Sequence, residues 1–439
     1  MDRFSKIEIE DAPVTPGVEF TPAGGLQTSG TATSRNGVFL NALGLESTAE
    51  FRHVAKRWQE TCVPFTAIES QVAAEAAAKF DRIVPESAVR LDTENDLQIA
   101  GNDVIGDPVA LTDNGRASLR LFTEVPSSMI TYLAERGYGN EISRYVNEDL
   151  DRRAAQWADR HDDARDFRLR FRNDNQGNPV VRAVVSDQYG VIDNHEALQI
   201  FREAVGPDVD KYLASHVSNN GDDIFVNFLV PDTLQSDPDS DYGIGIAFRN
   251  SEIRNSTLKV SPFLFRAICL NGMIWGRANS NVNVNKRHRG TVDRFELREN
   301  IAYAVKAALS HGQGMKSLLE KSKEVRVENP LQTIAQLSRD QKLTTEQGRA
   351  WHRGYLQTLE EKSGHIADRT AFGIVNGLTR AAQEYSGAIR ESLESTSSVI
   401  LAPAIDADLA AIQKRWGTIS QIATGLSEET VRQYQYVAR

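Results

Sequence analysis

From residue 164 the chain reads ARDFRLRFR, then NDNQGNP, then VVRAVVSDQYG, and the first run alternates apolar and charged side chains with a period of two. Only an extended strand puts alternate residues on opposite faces, and the Asn, Gly and Pro between the runs are turn formers, so the stretch predicts a β-hairpin. Phe167, Leu169 and Phe171 then share one face, and Arg168, Arg170 and Arg172 the other.

Around this hairpin the pattern divides the 439 residues into four regions. Residues 1–45 are rich in Gly, Ser, Thr and Pro without apolar periodicity and read as an extended or disordered arm. Residues 46–160 read as helical: STAEFRHVAKRWQETC, ESQVAAEAAAKFDRIV, LTDNGRASLRLFTEV capped by Thr112 or Asp113, PSSMITYLAERG stopped by Gly137, and NEISRYVNEDLDRRAAQWADRH. Residues 161–298 form an α+β core in which NHEALQIFREAV is a helix and KYLASHVS, DDIFVNFLV, YGIGIAFRNSE and STLKVSP are strands. Within it Ser261 can cap a helix, Pro262 can start it and Asn271-Gly272 can end it, so FLFRAICL predicts a short buried helix in preference to a hairpin turning on Asn271-Gly272. Residues 299–439 are helical almost throughout. The fold class expected is α+β: a central mixed, mostly antiparallel sheet with a hairpin and flanking helices, followed by a long α-helical C-terminal region.

The formal charge is -10, which argues against indiscriminate coating of nucleic acid but says nothing about local fields. Between Lys259 and Arg298 the balance reverses. Lys259, Arg266, Arg277, Lys286, Arg287, Arg289, Arg294 and Arg298 face only Asp293 and Glu296. Arg168, Arg170 and Arg172 form a second basic strip whose same-face neighbours lie about 7 Å apart, a spacing suited to bidentate contacts with successive phosphates. The bland alternative is a solvated face balanced by Asp162, Asp163, Asp166 and Asp174. Arg266 stands among apolar residues and needs a carboxylate, carbonyls or an anionic ligand. Tyr189 and Trp275 are the aromatic candidates for stacking on a base or sugar.

Enzyme signatures are poor: no phosphate-binding loop, GxSxG, HExxH or zinc-deaminase pattern occurs. Asp187, Asp193, His195 and Glu196 could be read as the metal cluster of a nuclease, but helix capping by Asp193 or Asn194 explains them more simply. Cys62 and Cys269 belong to no ligand pattern and read as reduced packing residues. No catalytic residue, metal or cofactor is expected. No apolar run suits a signal peptide or a membrane span, which points to no membrane association and to the cytoplasm, the host's if the chain is phage-encoded.

Three stretches, LTDNGRASLRLFTEVPSSMITYLAERG, VVRAVVSDQYGVIDNHEAL, and RNSEIRNSTLKVSPFLFRAICLNGMI with the later RHRG, resemble in order and spacing the phage- and plasmid-like family known as domain of unknown function 932. The positions that carry the resemblance are Ser186, Asp187 and Tyr189; Asn250 and Ser251; Arg266, Cys269, Asn271 and Gly272; and Arg287, His288 and Gly290. The resemblance implies a mobile-element context near DNA metabolism and supplies no catalytic residues. The order of elements is also similar, at the level of fold, to ring-forming single-strand annealing proteins.

The expectation is therefore a non-catalytic, homo-oligomeric protein that binds or anneals single-stranded DNA. Arg168, Arg170, Arg172, Arg277, Lys286, Arg287, His288 and Arg289 would contact the backbone. The alternatives are an interaction protein that binds a host or phage protein through its helical tail, and a metal-dependent nuclease.

Overall fold

A computed structural model describes residues 18–20, 26–28, 62–92, 98–120, 122–161, 165–230, 233, 242–266, 271–274, 284–360, 369–402, 404 and 407–437. Expectations about the rest of the N-terminal arm, the helix before Cys62, and Cys269, Trp275 and Arg277 fall outside these residues.

The chain builds β1 (Val18–Phe20), β2 (Leu26–Thr28) and β3 (Val63–Pro64), then α1 (Phe65–Ala76) and β4 (Lys79–Pro85). The sequence pattern ran a single helix through KFDRIV; instead the helix ends at Ala76 and β4 pairs along its length with the arginine strand. Tertiary pairing overrides the helical propensity of the preceding alanines. Three two-residue strands, β5 (Leu91–Asp92), β6 (Gln98–Ile99) and β7 (Val109–Ala110), form a small sheet in a region expected to be helical throughout. Helices α2 (Asp113–Leu119), α3 (Ser127–Ala134) and α4 (Gly139–Ala158) follow as expected, with the Thr112 hydroxyl accepting from Gly115 N at 3.1 Å as the cap of α2.

The hairpin is β8 (Asp166–Asn173) and β9 (Pro179–Ser186), and β4, β8 and β9 make an antiparallel sheet in that order. Phe167, Leu169 and Phe171 enter a core with Val84, Phe122, Ile142 and Leu150, so the alternation read from the sequence holds. Between Arg170 and Phe171 the register slips by one, leaving Arg182 as an extra residue of β9. This bulge reverses the parity of β9: Val181 before it and Val184 after it both face the core.

After α5 (Asn194–Val205), strands β10 (Leu213–Asn219), β11 (Asp223–Leu229), β12 (Tyr242–Ser251), β13 (Leu258–Arg266), β14 (Asn271–Ile274) and β15 (Val284–Lys286) complete a nine-stranded antiparallel sheet. Its order is β14-β13-β12-β11-β10-β1-β2, with β15 also on β13 and β3 on β10. Of the short helix expected over FLFRAICL, the described residues 263–266 are a strand instead. Residues 258–266 pair with β12 on one side, and with β15 and then β14 on the other. An apolar run buried on both faces reads alike as helix or central strand, and Pro262 is tolerated because it falls between the β15 and β14 pairings.

One face of this sheet, with Val226, Phe228, Ile246 and Phe248, packs against α1, α5 and the first turns of α6 (Arg294–Lys323). The remaining helices, α7 (Pro330–Asp340), α8 (Thr345–Glu360), α9 (Ala371–Ala382), α10 (Gly387–Leu401), α11 (Leu409–Ala423) and α12 (Glu428–Gln433), form the helical C-terminal region. Trp351 and Trp416 are buried at its centre. Helix α10 lies on the second sheet face through polar side chains: Asn227 donates to Glu394 (3.1 Å), Arg249 pairs with Glu391, and Ser398 donates to the Ile274 carbonyl (2.8 Å). Among the described residues no helix is long and apolar enough to cross a membrane.

Candidate nucleic-acid interface

The arginine face of β8 is buried at its centre and partly exposed at both ends. Arg170 is 1% exposed, and its guanidinium reaches Asp81 (3.0 Å), Asp193 and the Glu252 carbonyl. The bulge turns Arg182 onto the same face, where it is fully buried against Asp222 (3.0 Å) and Glu252. Lys79 of β4 closes on both Glu252 carboxylate oxygens (2.9 and 3.0 Å) and on the Gly221 carbonyl. Arg168 and Arg172 stand at the rim, each 3.5 Å from a carboxylate, Asp81 and Asp222 respectively. The strip read as a phosphate ladder is thus spent on carboxylates. It joins the β4-β8-β9 sheet to the β10–β11 and β12–β13 turns and to the start of α5.

Physical chemistry explains why Asp193 stays charged beside Arg170. Burial works against the Asp193 carboxylate, but the Arg170 and Arg182 guanidiniums outweigh it and hold its pKa below the ordinary value. Asp193 sits at the N-cap position of α5 but makes no capping bond, since its carboxylate serves Arg170. The backbone N–H of Asn194 instead donates to Glu252 (2.8 Å), which makes Glu252 the acceptor for two strands and a helix start. Among the described residues no group of three or more His, Cys, Asp or Glu converges to hold a metal ion, and His195 lies beside Gln199 (3.1 Å).

Of the positions that carry the family resemblance, Tyr189, Asn250 and Ser251 lie at this junction, whereas Arg266, Asn271 and Gly272 pair at the far end of the β12–β13 ladder. The Asn250 side chain donates to the Ile192 carbonyl and to Asn194, both at 2.9 Å. The Ser251 hydroxyl accepts from Asn255 N (3.0 Å) and shapes the β12–β13 turn. Tyr189 is buried; its hydroxyl donates to the Glu252 carbonyl (3.1 Å), and burial pushes its pKa up. Ser186 ends β9, and Asp187 accepts from Gln188 beside it (2.8 Å). For Arg266, Asn271 and Gly272 the backbone alone is described, paired across the β13–β14 hairpin.

The basic turn reaches the same junction from the other side. His288 stacks on Tyr189, ring centroids 5.3 Å apart and 7° from parallel, and its Nδ1 donates to the Gly190 carbonyl (3.1 Å). Gly290 N donates to the Gln188 carbonyl (3.0 Å). Burial lowers the His288 pKa to about 4, so the ring is neutral in the fold. Lys286 is 3.7 Å from Glu296. Arg287 and Arg289, on either side of His288, are exposed and pair with no described carboxylate. Arg254, at the tip of the β12–β13 turn with φ +72°, is exposed in the same way, and its field contributes to the low His288 pKa. Arg254, Arg287 and Arg289 thus have no carboxylate partner among the described residues, on the two turns that meet the Tyr189–His288 stack.

The contact between the two motifs is backbone to backbone. A Cβ on Gly190 would stand 2.6 Å from Gly290 O and 3.0 Å from Arg289 N. Gly190→Ala should therefore lift the basic turn off Tyr189 and cost about 1–3 kcal/mol. A thermal melt reads the effect, and a parental midpoint would count against this account of the contact.

Sequence reasoning singled out Arg168, Arg170 and Arg172 but missed Lys79, Asp81, Arg182, Asp222, Glu252 and Arg254. Arg182 did carry a signal, a lone charge inside VVRAVV that demands a buried partner. Glu252 carried none.

Residues 181–399 match a family model described as domain of unknown function (DUF932). No curated protein and no solved structure matches the chain.

Proposed function

We propose that this chain, whose residues 181–399 match the DUF932 family model, binds single-stranded nucleic acid without catalysis, at a surface formed by Arg254, Arg287 and Arg289. The observation that carries the reading is the contrast between two sets of arginines. Arg170 and Arg182 are buried on carboxylates, while Arg254, Arg287 and Arg289 remain exposed and unpaired among the described residues, Arg287 and Arg289 on a turn fixed by the Tyr189–His288 stack and by a backbone hydrogen bond, and Arg254 on the separate β12–β13 turn. Cations held on a rigid frame without internal partners suit a phosphate backbone, because no salt bridge has to break before binding. The acidic remainder of the chain confines that attraction to one surface. Annealing or recombination in a phage or plasmid is the use we propose for such binding.

Fluorescence polarisation of a labelled single-stranded oligonucleotide across a salt series tests the reading. Three phosphate contacts on a single strand predict a slope of log affinity against log salt of about -2, and replacing Arg287 and Arg289 together by alanine should flatten it to about -0.7. Micromolar protein with no salt-sensitive signal would sink the reading.

A further inference from the structure

We propose that β4 is a dimerisation edge, across which two copies of this chain join their β4-β8-β9 sheets through antiparallel β4 strands. β4 lies at one end of its sheet and pairs with β8 alone. Just beyond its two ends the same ladder continues, with Asn173 N donating to the Ala78 carbonyl (3.0 Å) and Glu86 N to the Arg165 carbonyl (2.9 Å). In an antiparallel pair such bonded positions recur at every second residue, so Phe80, Arg82 and Val84 spend their backbone groups on β8. Those of Lys79, Asp81 and Ile83 point away from it, and no hydrogen bond from a described residue meets them. The opposite edge of the sheet is treated differently. Val181 O accepts from Thr112 N (3.0 Å) and Val184 N donates to the Ser118 hydroxyl (2.8 Å), so α2 and the residue before it cover β9.

An open strand edge is ordinarily guarded by outward charges. In β4 the side chains of Lys79 and Asp81 are turned into the buried ion cluster instead, while Phe80 (43% exposed) and Ile83 (53% exposed) stand beside the free backbone groups. What favours a second copy over an unrelated strand is that this edge is complementary to itself. A two-fold axis at Asp81 sets Lys79 opposite Ile83 of the second copy and Phe80 opposite its Arg82, and the outward positions exchange N–H···O bonds in both directions. Pro85, which has no N–H to give, lies outside this register. Phe80 stacks on Phe171 (centroids 4.8 Å apart, 4° from parallel), and the exposed Arg82 lies over the same ring (5.8 Å to the centroid). Pairing Phe80 with Arg82 across the axis repeats that contact of ring and guanidinium on both sides of it. The two Asp81 carboxylates that meet at the axis bring no uncompensated charge, since Arg170 (3.0 Å) and Arg168 (3.5 Å) already face each of them.

Sedimentation velocity of the full chain from about 1 to 100 μM should show a monomer passing into a dimer. Ile83→Pro removes an outward N–H and leaves the β8 ladder intact, so it should weaken the dimer at least about tenfold with an unchanged circular dichroism spectrum. Ile83→Lys, which sets a second ammonium opposite Lys79 at an exposed position, should act in the same direction. Hydrogen exchange resolved to single residues should slow with rising concentration at Lys79, Asp81 and Ile83, and stay constant at Phe80 and Arg82, whose amides already bond to β8. A parent that stays monomeric at the highest concentration would overturn the proposal, and so would folded Ile83→Pro and Ile83→Lys variants that dimerise as the parent does. Slowed exchange at the three outward amides in a monomer that carries a bound peptide would overturn it too, by giving the edge to a foreign strand.

Discussion

Glu252→Ala should cost the fold about 3–5 kcal/mol, because it strands buried cations. Glu252 is 1% exposed and its two oxygens serve Lys79, Arg182 and the Asn194 backbone N–H. Alanine removes all of these acceptors and adds none, so the fully buried Arg182 retains Asp222, the Phe171 carbonyl and the more distant Asp193 (4.0 Å). Glu252→Gln keeps the shape and one acceptor oxygen but surrenders the charge; it should fall between the parent and alanine. The reading is a shift in thermal midpoint and in resistance of the junction between the two larger sheets to proteolysis, since a chain of this size need not unfold in one step. Glu428→Ala, which breaks the exposed Arg432–Glu428 pair (3.1 Å), should leave both unchanged. Equal behaviour of the Glu252 and Glu428 variants would refute the assignment of the buried ion cluster as the joint.

Acidification from neutral pH to about pH 4 should destabilise the protein by about 3 kcal/mol through His288 alone. Burial holds this ring at a pKa of about 4 in the fold, against an ordinary value near 6.5 in the unfolded chain. As pH falls through 6.5 the unfolded state takes the proton first. The contribution is therefore complete above the unfolded pKa and is lost as pH descends toward the folded one. His216 is shifted in the same direction by burial, then by Arg390, and adds to the loss. His288→Phe keeps a ring on Tyr189 without a titrating group, and its melting temperature should fall less between pH 7 and 4.5. A pH dependence parallel to the parent's would rule out His288 as a contributor.

How much of this was legible in the sequence differs by element. The β8–β9 hairpin and helix α5 could be read because their signals are local: alternation, a turn rich in Asn and Gly, and an amphipathic run of twelve. The same alternation gave the arginine face correctly but not its destination. The carboxylates it meets, Asp81, Asp193, Asp222 and Glu252, are brought by four separate segments, and no spacing rule connects them. FLFRAICL was misread because Ser261 and Pro262 imitate a helix start, while the evidence against it, two strands pairing in succession along one edge of β13, is long-range. The RHRG turn was visible as charge; that its histidine stacks on Tyr189 was not.

The extra residue in β9 has a further consequence for how this chain tolerates changes in length. Because Arg182 is unpaired opposite β8, deleting it would restore an unbroken ladder in which Val181 and Val184 still point inward and Ala183 and Val185 outward. A deletion at any neighbouring position before the bulge would shift the valines relative to β8. β9 thus contains one position where a codon can be lost without scrambling the core, and the loss would fall on the charge that fastens one half of the molecule to the other.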